Sequence, residues 1–140
     1  MPRPTPAVLS GLDGRQLAAI FAGGYAGAIA RTALLQAWPP VAAEWPWATV
    51  AANVAGAFLL GLVVAHLQEQ PRRSLYWRSL LGPGFCGALT TFSTLQLELL
   101  QMLDAGHIAL ALGYAATSIA AGYAAVALAV ELARRTRRPA

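Results

Sequence analysis

The sequence contains no lysine, a single cysteine and few charged side chains of either sign. Only 11% of its 140 residues are charged, whereas soluble domains usually carry about 25%. The lone Cys86 excludes an internal disulfide framework, and its apolar neighbours favour a small buried side chain. A hydrophobic content of 57% and a mean hydropathy of +0.53 are typical of a membrane protein. The length allows one domain.

The ten basic residues are all arginines, and they raise the isoelectric point to about 10.0. Such a value is also common in nucleic-acid-binding proteins. Here, however, most of the arginines lie at the ends of apolar segments, which is the placement expected for contact with anionic lipid headgroups. The sequence therefore predicts a lipid bilayer as partner and no nucleic acid.

Four long apolar segments are separated by short polar loops. An apolar run of about 20 residues spans a bilayer as a helix, and the predicted spans cover residues 16–36, 47–67, 75–103 and 107–132. Residues 1–15 remain as a cytoplasmic N-terminal segment and residues 133–140 as a basic C-terminal tail. Aromatic residues fall at the segment ends, as in an interfacial belt: Trp38, Trp45, Trp47, Tyr76 and Trp77. A soluble helical bundle would need polar faces that the second and fourth segments lack, so we predict an all-α membrane protein with four transmembrane helices.

The arginines are distributed unequally between the two sides of the predicted bundle. With four spans, both termini and the middle loop share one side, which holds Arg3, Arg15, Arg72, Arg73, Arg78, Arg134, Arg135, Arg137 and Arg138. The other side carries no arginine, but only Glu44, Asp104 and His107. Because basic loops remain inside, this bias predicts that both termini are cytoplasmic.

The third segment is interrupted. Glycine and proline at positions 82–84 weaken its first half, and four hydroxyl residues then surround Phe92 in the stretch TTFST. Broken helices at membrane depth occur where the backbone is buried in protein or lines a cavity. Unwound carbonyls bind cations, and the N-termini of half-helices attract anions. Residues 87–94 therefore favour an ion or substrate site, and the alternative is a hydroxyl-rich kink held by neighbouring helices.

Polar side chains and small residues also interrupt the first two spans. A buried guanidinium is costly, so Arg31 is expected to be paired, to face water or to snorkel to the interface. Asn53 is expected to bond to another helix or to line a wet cavity. Near Arg31, Gly23 with Gly27 and Gly24 with Ala28 have the spacing that lets helix backbones approach closely.

Two pairs of polar residues in the last two spans have helical spacing. Thr94 and Glu98 are four residues apart, as are Tyr114 and Ser118, so each pair lies on one helix face. Glu98 is the one acidic residue well inside a span. The two faces predict either a polar track for an ion or hydrogen bonding between helices without transport.

Four pieces of the sequence, in order, resemble the Fluc (CrcB) fluoride channels of bacteria. They are GGYAGAIAR in the first span, ANVAGAFLLG in the second, GFCGALTTFST in the third, and a tyrosine followed four residues later by serine in the fourth. The resemblance covers nearly the whole chain. It implies an antiparallel dimer of four-helix subunits in the plasma (inner) membrane, with two pores that export cytoplasmic fluoride passively and relieve its toxicity.

The same resemblance implies roles for individual residues. A central structural Na⁺ would be held by the backbone carbonyls of Gly87 and Thr90 from both subunits. The residues matching the fluoride pore and its polar track are Asn53, Phe92, Ser93, Thr94, Glu98, Tyr114 and Ser118, and Arg31 matches an arginine of the family's first helix. These types suit fluoride, because amide and hydroxyl hydrogens and the positive edge of an aromatic ring replace its hydration shell.

Two features depart from the family pattern. Leu95 stands where the family has a second pore phenylalanine, and it lacks the positive ring edge. The arginine bias favours one orientation in the membrane, whereas an antiparallel pair of identical chains must insert both ways. Together they favour pairing with an unlike, oppositely oriented subunit over pairing of the chain with itself.

Other functions remain as alternatives. A small multidrug exporter, coupled to protons, has a similar length and four spans, but it needs an acid in the first span, where this chain has Arg31. A non-conducting partner subunit of a heterodimeric fluoride channel would explain Leu95 but not the TTFST break. No catalytic group is expected, because Ser93 has no nearby histidine in the sequence to act as a base, so we predict that the protein is not an enzyme.

Overall fold

A computed structural model describes residues 13–39, 41, 44–67 and 73–136 of the chain, and no β-strand occurs among them. The helices are α1 (Gly14–Ala37), α2 (Trp47–Leu67), α3 (Arg73–Ser79), a π-helical segment (Leu80–Cys86), α4 (Gly87–Leu89), α5 (Phe92–Asp104) and α6 (Ile108–Thr136). The predicted all-α fold is therefore confirmed.

Three of these helices are long and apolar enough to cross a membrane: α1, α2 and α6. The predicted second span coincides with α2, whereas α6 continues beyond position 132, where the predicted tail begins, to Thr136. The predicted third span is covered by α3, the π-helical segment, α4 and α5, so the helix is broken as expected. Most of the N-terminal segment, the end of the tail, and Arg3, Arg72, Arg137 and Arg138 lie outside the described residues.

Local sequence signals account for the helix ends. The carboxylate of Asp13 caps α1 by accepting a hydrogen bond from the backbone N–H of Arg15 at 3.3 Å. Proline follows α1 closely and directly precedes α2, where its missing N–H is not needed. Gly106, with φ of 79°, provides the left-handed conformation that turns the chain between α5 and α6.

The π-helical segment results from a proline flanked by glycines. Pro83 has no N–H to donate and its ring crowds the preceding turn, so the regular α-helical bonding cannot continue through it. The chain widens instead, and the N–H of Gly87 bonds to the carbonyls of Gly82 and Gly84. The weakness predicted for the first half of this segment therefore takes the form of one wide turn that remains helical.

The helices pack as two groups that the broken segment connects. Helix α1 lies against the π-helical segment and α4, while α2 packs along α6. Gly23 and Gly27 allow α1 to approach so closely that a Cβ at either position would overlap backbone atoms of the π-helical segment. After the break, α5 packs against α6. The break thus redirects the chain from α1 to the α2–α6 pair.

Candidate ion-binding site at the helix break

The break consists of two extended residues between α4 and α5. Thr90 has φ, ψ of −74°, 151° and Thr91 has −145°, 118°. The backbone N–H and the hydroxyl of Thr90 both donate to the carbonyl of Cys86, each at 3.0 Å, which closes α4. The hydroxyl oxygen of Thr91 accepts from the N–H of Thr94 at 3.2 Å and caps α5. Each end of the break is therefore fixed by one of its threonine hydroxyls: Thr90 bonds to the last turn before the break, and Thr91 caps α5.

The amide of Asn53 holds the break from the neighbouring helix α2. Its Oδ1 accepts from the N–H of Thr91 at 2.7 Å, and its Nδ2 donates to the carbonyl of Thr91 at 3.1 Å. One side chain thus satisfies both backbone groups of one residue, as a neighbouring strand would. This pair explains how an asparagine is accommodated inside an apolar helix.

Several backbone carbonyls lose their helical donors at the break, and those of Gly87 and Thr90 are among them. In a continuous helix the N–H of Thr91 would bond to the carbonyl of Gly87, and the N–H of Thr94 to that of Thr90. These N–H groups instead bond to side-chain oxygens of Asn53 and Thr91. The carbonyls of Gly87 and Thr90 are therefore released from α-helical pairing, and these are the two that the family resemblance assigns to Na⁺.

Hydroxyl groups and an aromatic ring surround the start of α5. The hydroxyl of Thr91 donates to Oγ1 of Thr94 at 2.9 Å, so the hydroxyl hydrogen of Thr94 itself points elsewhere. Ser93 is exposed, with its Oγ 3.4 Å from that of Thr91. Phe92 is 71% exposed. The first turn of α5 therefore offers two hydroxyls and a ring edge toward the outside of the chain.

A second polar cluster lies farther along α5, around Glu98, which is only 6% exposed. Its two carboxylate oxygens accept hydrogen bonds from the hydroxyls of Thr49 and Tyr114, each at 2.6 Å. Both partners are fully buried. Because a buried carboxylate is costly unless it is hydrogen-bonded, these two hydroxyls are what allows an acid at this depth.

Two further residues that were predicted to line the fluoride pore or its polar track lie close to this cluster. Leu95 is half-buried and packs against the apolar cluster of Met102, Ala111 and Tyr114. Ser118 lies one turn after Tyr114 on α6, and its buried Oγ has no hydrogen-bond partner among the described residues. Tyr114 and Glu98 therefore meet as the helical spacing suggested, whereas Thr94 turns to Thr91 in the break.

Arg31 lies on α1 one turn after Gly27, on the helix face that packs toward the π-helical segment and α4. It is half-buried, and its guanidinium forms no ion pair with the part of the chain that the structure describes. The sequence left three interpretations of Arg31: pairing with an acid, exposure to water, or snorkelling to the interface. The first of these, pairing with an acid, is not observed among the described residues.

Residues 18–130 match the family model described as "CrcB-like protein, Camphor Resistance (CrcB)". The chain belongs to the CrcB family. A relative named "Fluoride-specific ion channel FluC 1" from Mycolicibacterium paratuberculosis is 54% identical over 127 residues, which cover 89% of this chain and 95% of the relative. The protein of the same name from Mycobacterium bovis is 51% identical over 125 residues, with the same coverage. "Fluoride-specific ion channel FluC" from Leptospira interrogans is 43% identical over 107 residues, or 75% of this chain and 84% of the relative.

Membership of the CrcB family confirms two predictions. Because its relatives are named as ion channels, the chain is not an enzyme. The same relatives, together with three helices able to cross a bilayer, identify a multi-pass membrane protein.

Thr49 was not predicted from the sequence as a site residue, and the specific role of Thr91 was not predicted either. Thr49 precedes Asn53 by one helical turn on α2, and this spacing was the available signal for a shared polar face. Thr91 was recognised as part of the hydroxyl-rich break, but nothing in the sequence indicates that Asn53 would bond to its backbone.

Proposed function

We propose that the chain forms a fluoride-selective channel that lets cytoplasmic fluoride leave passively across the bacterial plasma membrane and so relieves its toxicity. One observation carries the proposal: the amide of Asn53 holds open a helix break, beside which hydroxyl hydrogens and an exposed phenylalanine ring are available. The names of the relatives support fluoride as the ion.

The proposed path uses hydrogen-bond donors that are not already paired with strong acceptors within the protein. Asn53 donates one Nδ2 hydrogen to Thr91 and keeps the second. The hydroxyls of Thr94 and Ser118 have hydrogens to offer, that of Ser93 is held only by a long contact of 3.4 Å to Oγ1 of Thr91, and the ring edge of Phe92 carries partial positive charge. By contrast, the hydroxyl hydrogens of Thr49 and Tyr114 are committed to Glu98, so in this arrangement they shape the path rather than solvate the anion.

Na⁺ fits the break as a structural ion. The carbonyls of Gly87 and Thr90 are released from helical pairing, and hard cations prefer oxygen ligands. When bound there, Na⁺ would supply a fixed positive charge close to the anion path. The two carbonyls of one chain would leave the ion incompletely coordinated, which supports a site completed by a second subunit.

The proposed assembly is an antiparallel dimer in which the broken segment forms a fourth membrane crossing. Helices α1 and α6 are apolar and mostly exposed in the single chain, so lipid or another subunit must cover them. The partner is either a second copy or an unlike paralogous subunit, and the arginine bias and Leu95 support the unlike partner.

The orientation of the chain distinguishes these two partners. We expect a reporter fused to the C-terminus to be cytoplasmic in nearly all molecules, because one side of the bundle carries nine arginines and the other carries none. Substituting two or three of the arginines in residues 134–138 by glutamine provides the control, since it should increase the fraction that inserts the other way. Equal populations of both orientations in the unchanged chain would contradict an obligatory unlike partner.

Selective flux is the direct test of the channel. In liposomes that contain the purified protein, we expect fluoride to leave down its gradient while chloride is retained, as measured with ion-selective electrodes. The rate of fluoride efflux should not depend on a proton gradient. Dependence on such a gradient would instead indicate the multidrug-type exporter. Absence of fluoride flux from the chain alone would contradict a self-sufficient channel, and would leave either a channel that needs an unlike partner or a non-conducting partner subunit.

The same liposomes test the structural ion. Exchanging Na⁺ for a large organic cation during purification and reconstitution is expected to abolish fluoride flux, and returning Na⁺ to restore it. Flux that is identical without Na⁺ would contradict the proposed ion at Gly87 and Thr90 while leaving the fluoride path intact.

A further inference from the structure

A cavity of about 650 Å³ lies between the end of α1, the start of α2 and Glu98 of α5. Its walls include Trp38, Trp45, Trp47, Glu44, Thr49 and Glu98. The volume falls within the range of about 300–1,000 Å³ that small-molecule sites occupy. It is far larger than a halide ion requires, and only Thr49 and Glu98 of its lining belong to the polar cluster beside the proposed fluoride path.

The wall chemistry of this cavity favours an organic cation. Its lining includes the exposed Glu44 and the buried Glu98, whose two oxygens already accept hydrogen bonds from Thr49 and Tyr114, and no arginine lies among the described lining residues. The remaining surface is mostly apolar and includes three indole rings. Carboxylates together with aromatic faces attract an ammonium group through charge and cation–π interactions, while the apolar walls accept its methyl or methylene groups.

One buried donor in the wall lacks an acceptor. Nε1 of Trp45 is inaccessible to solvent and has no hydrogen-bond partner within the described part of the chain. The ring is held by Trp47, with centroids 5.9 Å apart, and by Tyr114, edge to face at 5.8 Å. An unpaired buried N–H is costly, so a ligand whose oxygen reaches Nε1 on a small turn of the Trp45 ring would be stabilised.

We propose that this cavity binds an organic ammonium group that carries an oxygen acceptor a few bonds away. The ammonium lies against the indole rings and the acids, and the oxygen accepts from Nε1 of Trp45. Choline has this chemistry, and so has the headgroup of a zwitterionic phospholipid. Both can reach the cavity, because Trp38 and Trp47 are largely exposed at helix ends, where tryptophans meet the membrane interface.

Binding is measured at equilibrium on the purified protein in a maltoside detergent, so the result does not depend on whether the chain conducts fluoride. Choline and tetramethylammonium, which lacks the oxygen, are titrated by calorimetry. We expect Glu44→Gln to weaken both ligands by about three- to fivefold, the size expected for an exposed charge contact. The matched control is Asp104→Asn, an exposed acid outside the cavity, which should change neither.

The role of the indole N–H is tested by Trp45→Phe, which keeps an aromatic ring and removes the donor. We expect choline to bind about three- to tenfold more weakly, as for the loss of one hydrogen bond, while tetramethylammonium is nearly unaffected. Retained tetramethylammonium binding also shows that the variant is folded. Trp77→Phe, at an exposed tryptophan outside the cavity, serves as the matched control.

Vesicles distinguish the two sources of the ligand. If the natural occupant is a lipid headgroup, choline binds in vesicles of phosphatidylglycerol but not in those that also contain phosphatidylcholine. Equal choline binding in both vesicles assigns a free cation. The proposal is overturned if choline fails to bind in detergent and in phosphatidylglycerol alike, or if Glu44→Gln and Trp45→Phe leave its binding unchanged.

Discussion

Replacing Gly23 by alanine is expected to destabilise the protein strongly, whereas the same change at the adjacent Gly24 is expected to have little effect. A Cβ on Gly23 would overlap the carbonyl of Leu80 and crowd the N–H of Phe85. Both are backbone groups of the π-helical segment, so no rotamer change can relieve the overlap. At Gly24 the nearest atom to a Cβ is the carbonyl oxygen of Gly84, at an ordinary 3.9 Å.

The expected loss of stability in Gly23→Ala is large because the added Cβ meets backbone atoms, which cannot move aside as a side chain can. Overpacking a core typically costs about 1–3 kcal/mol, and we place Gly23→Ala at or above the upper end because α1 must move away as a whole. The measurement is the free energy of unfolding in mixed micelles, with Gly122→Ala, which meets no atom within 4 Å, as a second control. Equal stability of the Gly23 and Gly24 variants would show that α1 does not lie as close as described.

This contrast also shows what the glycine pattern in the sequence can predict. The spacing of Gly23 with Gly27 and of Gly24 with Ala28 indicates a closely packed helix, but both pairs fit it equally well. Which face is used depends on where the π-helical segment lies, and that position is set by residues more than 50 positions later in the chain. Local spacing contains no such information.

The broken helix illustrates the same limit at the site itself. Glycine and proline weaken the α-helix and hydroxyl residues tolerate a break, so the interruption and its approximate position followed from local chemistry. The wide turn before it and the exact residues that unwind did not. The unwinding at Thr90 and Thr91 depends on Asn53, 38 positions away from Thr91, and its two hydrogen bonds appear only once α2 lies beside the break.

The polar cluster was predictable to the extent that it obeys helical spacing. Glu98 and Tyr114 meet, as the two polar faces suggested, because their helices pack side by side. Thr94 shares its spacing with Glu98 but bonds to Thr91, since a helix cap one turn away competes successfully for its hydroxyl. Composition alone does not rank such competing partners.

Replacing Asn53 by alanine is expected to abolish fluoride flux and to destabilise the protein. The change removes both bonds to Thr91 and leaves an N–H in the protein without an acceptor, and each unsatisfied group costs about 1–3 kcal/mol. If the N–H of Thr91 instead returns to the carbonyl of Gly87, the loss of stability is smaller, but the break closes and one of the proposed Na⁺ ligands is withdrawn. Unfolding in mixed micelles and fluoride efflux from liposomes measure the two effects, with Gln101→Ala, an exposed amide on α5, as the control.

The substitution Phe92→Ala distinguishes an effect on the fluoride path from an effect on the stability of the helix break. Phe92 is 71% exposed and is not needed to keep the break, so its truncation is expected to lower fluoride flux while leaving the unfolding free energy nearly unchanged. Asn53→Ala, in contrast, should lower both. If flux survives both substitutions, the ion does not pass beside this break, and the residue assignment fails even if the chain proves to be a fluoride channel. If Asn53→Ala loses stability but retains flux, the asparagine is a structural brace alone, and the anion path must use the hydroxyls of α5 and α6 without it.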